Sequence, residues 1–195
     1  MKRAFDLVVA IVLVVPALAV CLVLCALIFA IDRHAPLFLQ TRLGRNTRTF
    51  TLLKLRTMAP DTPDLPTHLA GAARVSRVGQ FIRKTKLDEL PQIINVLAGD
   101  MSFVGPRPCL PKQTELIAAR DAHGVFEMRP GVTGLAQVKG VDMSTPVLLA
   151  QWDALYFARS SIPLDVQIML ATVLSPLRAT LPSVSISEGQ KTTSD

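Results

Sequence analysis

Arg83 to Pro108 reads RKTKLDELPQIINVLAGDMSFVGPRP. Two carboxylates, Asp88 and Glu89, stand side by side near its start, with Arg83, Lys84 and Lys86 crowding them from upstream. An apolar segment follows, then Gly99-Asp100, then the stiff turn Gly105-Pro106-Arg107-Pro108. The pattern predicts a short helix from Glu89 to Leu97, with Asp88 as its N-cap and Gly99 closing it. Pro91 then falls in the first turn, where a missing N–H is tolerated. Carboxylates at a helix N-terminus sit in a positive field that favours their ionised forms. An ionised aspartate can serve as a nucleophile, and a neighbouring glutamate can hold a hard cation such as Mg²⁺ through oxygen. A plainer reading competes: an Asp-Glu pair opening a basic-flanked helix is also an ordinary cap with a solvated charge.

The chain outside this stretch sets the surroundings. Its 195 residues suit one domain with an appendage, and the 50% that are hydrophobic are concentrated at the N-terminus. A net charge of +6 favours nucleic acid, an anionic membrane surface or a phosphorylated ligand. With one Trp, one Tyr and no nucleic-acid module in view, nucleic acid is the poorest of the three, and membrane and phosphate are the better readings. Cys21, Cys25 and Cys109 have neither metal spacing nor a disulfide framework and read as free thiols in a reducing compartment.

Leu7 to Ile31 carries no charge, and as one straight helix it would measure about 38 Å against a hydrocarbon core of about 30 Å. It is longer than the apolar core of a secretory signal, and Val20 is bulky where a cleavage site wants a small residue. Pro16 removes a helix hydrogen bond inside the run. Lys2 and Arg3 precede the run, while Arg33, Arg42, Arg45 and Arg48 follow it, so charge asks for both ends on the cytoplasmic side. The residues alone leave a single span and a helix that dips into one leaflet and returns both open.

Arg33 to Arg56 is basic and has no acid, as a face near anionic headgroups would be. Phe50 to Arg56 reads as a strand that sets Lys54 and Arg56 on one face, as a diphosphate-binding surface requires. Ala59 to Gly71 reads as a proline-rich loop, and His68, like His34 and His123, as a solvent-exposed histidine. Helical patterns are expected over Val75–Lys84, Pro111–Ala122, Gln151–Ala158 and Leu164–Leu177, with Leu135–Val138 as a strand. Pro106 and Pro108 stiffen the backbone around Arg107, which suits a guanidinium aimed at phosphate, though a simple rigid turn would look the same. Ser183 to Asp195 is polar and aperiodic and is expected to be disordered.

The run LDELPQIINVLAGDMSFVGPRP, preceded by Arg83-Lys84-Thr85 and followed by RPGVTGLAQVKG from Arg129 to Gly140, closely resembles the bacterial sugar transferases. These are monotopic phosphoglycosyl transferases that start glycan assembly on a polyprenyl phosphate. The resemblance covers roughly Lys2 to Pro176. It implies a small α/β, mostly helical, membrane-associated catalytic domain with an N-terminal re-entrant membrane helix-break-helix. The expected division is an anchor over 1–34, a catalytic domain over 35–180 and a disordered tail over 181–195. The place it implies is the cytoplasmic face of a bacterial inner membrane. The implied reaction moves a phosphosugar from a UDP-sugar to polyprenyl (undecaprenyl) phosphate and releases UMP. Asp88 would attack phosphorus to form an acyl phosphate, and Glu89 would help hold Mg²⁺. Arg83, Lys54, Arg56, Pro106, Arg107, Pro108, Arg129 and Gln137 would contact substrate. The chain departs from the family pattern at Val15, where a Ser precedes the proline, and at Leu135 and Lys139, where an aromatic and an Asn are frequent. Two other classes stay open: a membrane-bound nucleotide-sugar hydrolase that passes the phosphosugar to water, and a non-catalytic scaffold whose basic face binds lipid.

Overall fold

The computed structural model of the chain describes residues 1–58 and 75–183. The Ala59–Gly71 loop with His68, and the tail beyond residue 183, lie outside the described residues. The architecture is mostly helical α/β. Helix α1 (Lys2–Asp32) leads into an antiparallel hairpin of β1 (Leu37–Leu43) and β2 (Thr49–Leu55). Helices α2 (Arg77–Lys84) and α3 (Gln92–Ala98) follow. Strand β3 (Ser102–Val104), helix α4 (Thr114–Asp121) and strand β4 (Gly131–Thr133) come next, and β3 pairs with β4 in parallel. A short helix α5 (Leu135–Val138) and two longer ones, α6 (Pro146–Arg159) and α7 (Ile162–Val173), complete the domain.

Helix α1 runs through Pro16 as one stretch of helical residues, so the structure does not divide it into the two helices expected from the sequence. It lies along the domain over its whole length. Asp6, Ala10, Ala17, Cys21, Leu24 and Ile28 form its buried stripe, spaced as one face of a 3.6-residue period requires. Ala10 and Ala17 pack with Leu52, Ile93, Val96 and Met101, while Leu24 and Ile28 pack with Leu55 and Ile82. The opposite face exposes Val8, Ile11, Val12, Val15, Leu22, Val23 and Phe29. By length and composition α1 is able to cross a membrane.

Polar groups fix the start of α1 to the domain. Lys2 reaches Asp165 of α7 at 2.5 Å. Arg3 donates to the carbonyls of Val96 and Leu97, at 2.6 and 3.1 Å, and so caps the end of α3. The buried Asp6 carboxylate accepts from the Ser102 hydroxyl and the Phe103 N–H at 3.0 and 3.2 Å. Asp165, itself fully buried, also accepts from the Tyr156 hydroxyl. A buried carboxylate is tolerated only with such partners, so these contacts are specific to this arrangement.

Several local expectations change. Asp88 is not a helix N-cap: Leu87–Glu89 forms a 3-10 turn, and α3 begins only at Gln92, with Pro91 at its cap. The Ile93 and Ile94 N–H groups bond back to Leu90 and Pro91, so the chain enters α3 through tight i→i−3 bonds rather than from a capping side chain. Gly99 does close the helix, at φ 93°. Leu135–Val138 is helical rather than a strand, because the extended residues fall earlier, in β4, which ends two residues before Leu135. There the GPRP and RPGVTG segments cross backbone to backbone: a Cβ on Gly131 would lie 2.1 Å from the Gly105 nitrogen. Helix α7 buries Leu164, Ile168 and Ala171 but leaves Val166, Leu170, Val173 and Leu174 exposed, so it is apolar on both faces and buried on one.

Candidate active site

Three elements bring the acidic pair to its cations. The 3-10 turn holds Asp88 and Glu89, the end of β2 supplies Lys54, and the turn after β3 supplies Arg107. Lys54 Nζ donates to Glu89 Oε1 at 2.9 Å, and Arg107 donates to the same oxygen at 3.2 Å. Asp88 receives only the 3.9 Å approach of Lys54 and has no hydrogen-bond donor among the described residues. The neighbouring carboxylates therefore stand differently. Burial alone would raise Glu89, but Lys54 and Arg107 outweigh it and hold the carboxyl at about 2. Burial also raises Asp88, and there the cations do not overcome it. Lys54 is pushed down by burial and by Arg107, with its pairing to Glu89 and Asp88 working against them.

Arg83, on the last turn of α2, donates from Nε to the Thr57 hydroxyl at 2.8 Å, and its charge favours ionised Asp88. Pro106 and Pro108 are held from outside: the Gly131 N–H donates to the Pro106 carbonyl and Arg42 donates to that of Pro108, at 2.9 and 3.0 Å. Between them the Arg107 carbonyl accepts from Arg120 at 2.9 Å. Arg120 is 1% exposed and closes on Asp153 of α6. The pair fixes the main chain from which the Arg107 side chain projects.

Two cavities flank the dyad. One, of about 460 Å³, is largely apolar; Leu13, Pro16, Ala17 and Val20 of α1 and Met169 of α7 line it, and so do Glu89 and Lys86. The other, of about 400 Å³, is more polar and is lined by Arg107, Lys86, Gln137, Asp142 and Asp153. The Arg107–Glu89 contact thus joins a wall of one cavity to a wall of the other, and Lys86, at φ 58°, lines both. In the polar cavity Gln137 Oε1 is a buried acceptor with no partner among the described residues.

Two expected residues lie elsewhere. Because β2 ends at Leu55, strand alternation no longer governs Arg56, which turns to the carbonyls of Ala35 and Leu37 and stacks over Phe38. Arg129 donates to the Gly99 carbonyl at 2.7 Å and lines a third cavity with Arg45 and Arg48. His34 and His123 are exposed, and the three cysteines are free. Sequence reading gave no role to Arg120, Asp153 or the cavity-lining position of Lys86. Asp165 had a visible signal, as a lone acid in an apolar helix; Arg120 had only its place one turn after the core residue Leu116.

Among the described residues no cluster of three or more His, Cys, Asp or Glu side chains marks a metal site. The donor chemistry of the dyad still fits Mg²⁺, which takes one or two carboxylates and completes its shell with water and substrate phosphate. Glu89 Oε1 is already shared by two cations, so the second oxygen of Glu89 and the Asp88 carboxylate would be the ligating atoms.

The sequence profile described as bacterial sugar transferase matches residues 1–179. The UDP-glucose:undecaprenyl-phosphate glucose-1-phosphate transferase of Caulobacter vibrioides is 42% identical over 186 residues, which cover 90% of this chain and 69% of that protein. The undecaprenyl-phosphate glucose phosphotransferase of Komagataeibacter xylinus is 39% identical over 189 residues, 88% of this chain and 35% of that protein. The UDP-galactose-lipid carrier transferase of Erwinia amylovora is 37% identical over 198 residues, 89% of this chain and 39% of that protein. The chain thus spans about two thirds of the first and less than two fifths of the other two.

Proposed function

The chain belongs to the bacterial sugar transferase family, and from that membership we propose that it transfers a sugar phosphate from a UDP-sugar to undecaprenyl phosphate and releases UMP. The observation that carries the reading is the place of the dyad, whose cations stand between an apolar cavity backed by α1 and a polar cavity. One substrate is water-soluble and charged; the other is a lipid. A site walled by both environments can admit each from its own side.

In the proposed reaction an Asp88 oxygen attacks the sugar-bearing phosphorus, the bond from that phosphorus to the UMP oxygen breaks, and UMP leaves. A phosphate oxygen of undecaprenyl phosphate then attacks the same phosphorus, the bond to Asp88 breaks, and the carboxylate is restored. Asp88 suits the attack because no hydrogen bond to a described residue occupies it. Lys54, Arg107 and Lys86 bind the diphosphate, and Arg83 favours the ionised form of Asp88. Mg²⁺, held by the dyad, would neutralise charge on the diphosphate. Gln137 Oε1 offers its unpaired acceptor to an N–H or hydroxyl of the nucleotide sugar. The lipid's first isoprene units lie in the apolar cavity along α1 and α7.

The same reading places the enzyme on the cytoplasmic face of the inner membrane with both ends of α1 on that side. The polar clamp at Lys2, Arg3 and Asp6 and the packing of Leu24 and Ile28 tie both ends to one domain. A bend at Pro16, where the helix lacks a donor, would let the middle dip into the leaflet. Single cysteines near Arg3 and Arg42 should label from the same side, and labelling from opposite sides would restore a span.

UMP release measured over a panel of UDP-sugars, with and without undecaprenyl phosphate, tests the function. Turnover that needs the lipid and stops in excess EDTA is expected. Steady turnover without lipid would make the protein a hydrolase, and full activity in EDTA would remove the metal.

A further inference from the structure

A third cavity, of about 310 Å³, lies at the turn between β1 and β2 and is lined by Arg45, Arg48 and Arg129. It is well separated from the dyad: Thr49, in its lining, and Lys54 lie five residues apart along β2, about 17 Å at the rise of a strand. The arginines come from segments far apart in sequence. Arg45 and Arg48 flank Asn46 and Thr47, both non-glycine residues at positive φ, 54° and 57°. Arg129 arrives from the turn before β4 and is anchored by the Gly99 carbonyl. Among the described residues the side chains of Arg45 and Arg48 have no hydrogen-bond or ion-pair partner. The carboxylate in the lining is Asp100, which accepts from Asn95 at 3.4 Å. Three guanidinium groups therefore face one carboxylate, an arrangement that favours a planar or tetrahedral oxyanion.

Where this cavity sits says which oxyanion. Gly99 in its lining lies under the start of α1: a Cβ there would be 3.4 Å from the Arg3 guanidinium. The uncharged, outward-facing apolar run of α1 begins within two turns of that point, with Val8, Ile11 and Val12 exposed. Where such a helix meets a bilayer, cationic side chains at its foot lie at the level of the headgroups. We propose that Arg45, Arg48 and Arg129 form a site for the phosphate of an anionic lipid headgroup, separate from the site of phosphosugar transfer. The proposal rests on the membrane placement of α1 given above. The occupied site would fix the hairpin against the membrane surface and help set the height of the dyad above it.

The test uses the full chain in a neutral detergent, titrated with short-chain phosphatidylglycerol, with short-chain phosphatidylcholine and with inorganic phosphate, and read by thermal unfolding and native mass spectrometry. Phosphatidylglycerol should bind and raise the unfolding temperature, phosphatidylcholine should bind at least about tenfold more weakly, and inorganic phosphate should give little shift at equal concentration. Arg45→Gln with Arg48→Gln should weaken phosphatidylglycerol binding at least about tenfold, while Arg45→Lys with Arg48→Lys should keep most of it. UMP release from UDP-sugar in detergent should be unchanged in both, so failure here is distinct from failure of the transferase reading. Equal stabilisation by inorganic phosphate would overturn the lipid assignment in favour of a free anion. Phosphatidylglycerol binding unaltered by the glutamine pair would overturn the site.

Discussion

At Arg120–Asp153, two nitrogens of one guanidinium close on a single carboxylate oxygen at 2.9 and 2.7 Å, and the third nitrogen holds the Arg107 carbonyl. At the dyad, Lys54 and Arg107 share one oxygen of Glu89, and Asp88 is left with a cation 3.9 Å away. Both places bury acids among cations, yet one pairs its charges and the other leaves a carboxylate without a donor among the described residues. A buried pair that is fully hydrogen-bonded can hold a backbone still. A buried carboxylate without donors is less stable and more reactive, and burial raises its pKa. The first place makes the second possible, because Arg120 fixes the main chain of the residue that grips Glu89.

Substitutions should separate the two. Asp88→Asn is nearly isosteric and removes no hydrogen bond to a described residue. Turnover should fall by about 10,000-fold or more, as when a catalytic nucleophile is lost, while the unfolding temperature changes by no more than a few degrees. UMP release and a thermal melt on the same preparation check this; a large loss of stability would mean that Asp88 is structural.

Arg120→Leu should do the reverse. It leaves Asp153 buried and uncompensated, so stability should drop by about 3–5 kcal/mol, measured by denaturant unfolding in detergent. The surviving folded fraction should show a raised KM for UDP-sugar, since Arg107 loses its anchor. A variant of wild-type stability would show that the pair does not brace the turn.

The smallest effect concerns Glu89. Its folded pKa, about 2, lies below the unfolded value of about 4.3, so it contributes stability that is present above that value and lost as pH falls toward 2. Glu89→Gln should therefore be less stable than wild type by about 3 kcal/mol at neutral pH, and the gap should close between about pH 4 and pH 2. Melts across that range in the absence of added metal check it. A gap independent of pH would mean that the cations do not favour the ionised acid.

Much of this was legible in the chain. The dyad, the hairpin strand that carries Lys54 and the apolar length of α1 all follow from patterns short enough to read. The proline-locked turn at Arg107 was legible as stiff, though its bracing was not. What escaped reading depends on contacts between distant residues. Arg120 and Asp153 are 33 positions apart, and Lys2 and Asp165 are 163 apart, so no local pattern joins them. Arg56 stands apart from Lys54 because the strand ends one residue earlier than its pattern suggests, and with it the alternation that would put the two on one face. Asp88 reads as a cap because Pro91 allows a helix to start before it or at it, whereas the backbone tightens into a 3-10 turn first.

The central claim is that Asp88, rather than its cation-gripped neighbour Glu89, carries the phosphosugar between two substrates. Full-length protein incubated with UDP-sugar and metal, without undecaprenyl phosphate, then quenched in acid and analysed by peptide mass spectrometry, tests it most directly. The account predicts one adduct with the mass of a sugar phosphate on the peptide containing Asp88, chemically mapped to that residue, absent from Asp88→Asn and discharged when undecaprenyl phosphate is added before the quench. An adduct mapped to Glu89, or full turnover by Asp88→Asn, would contradict it.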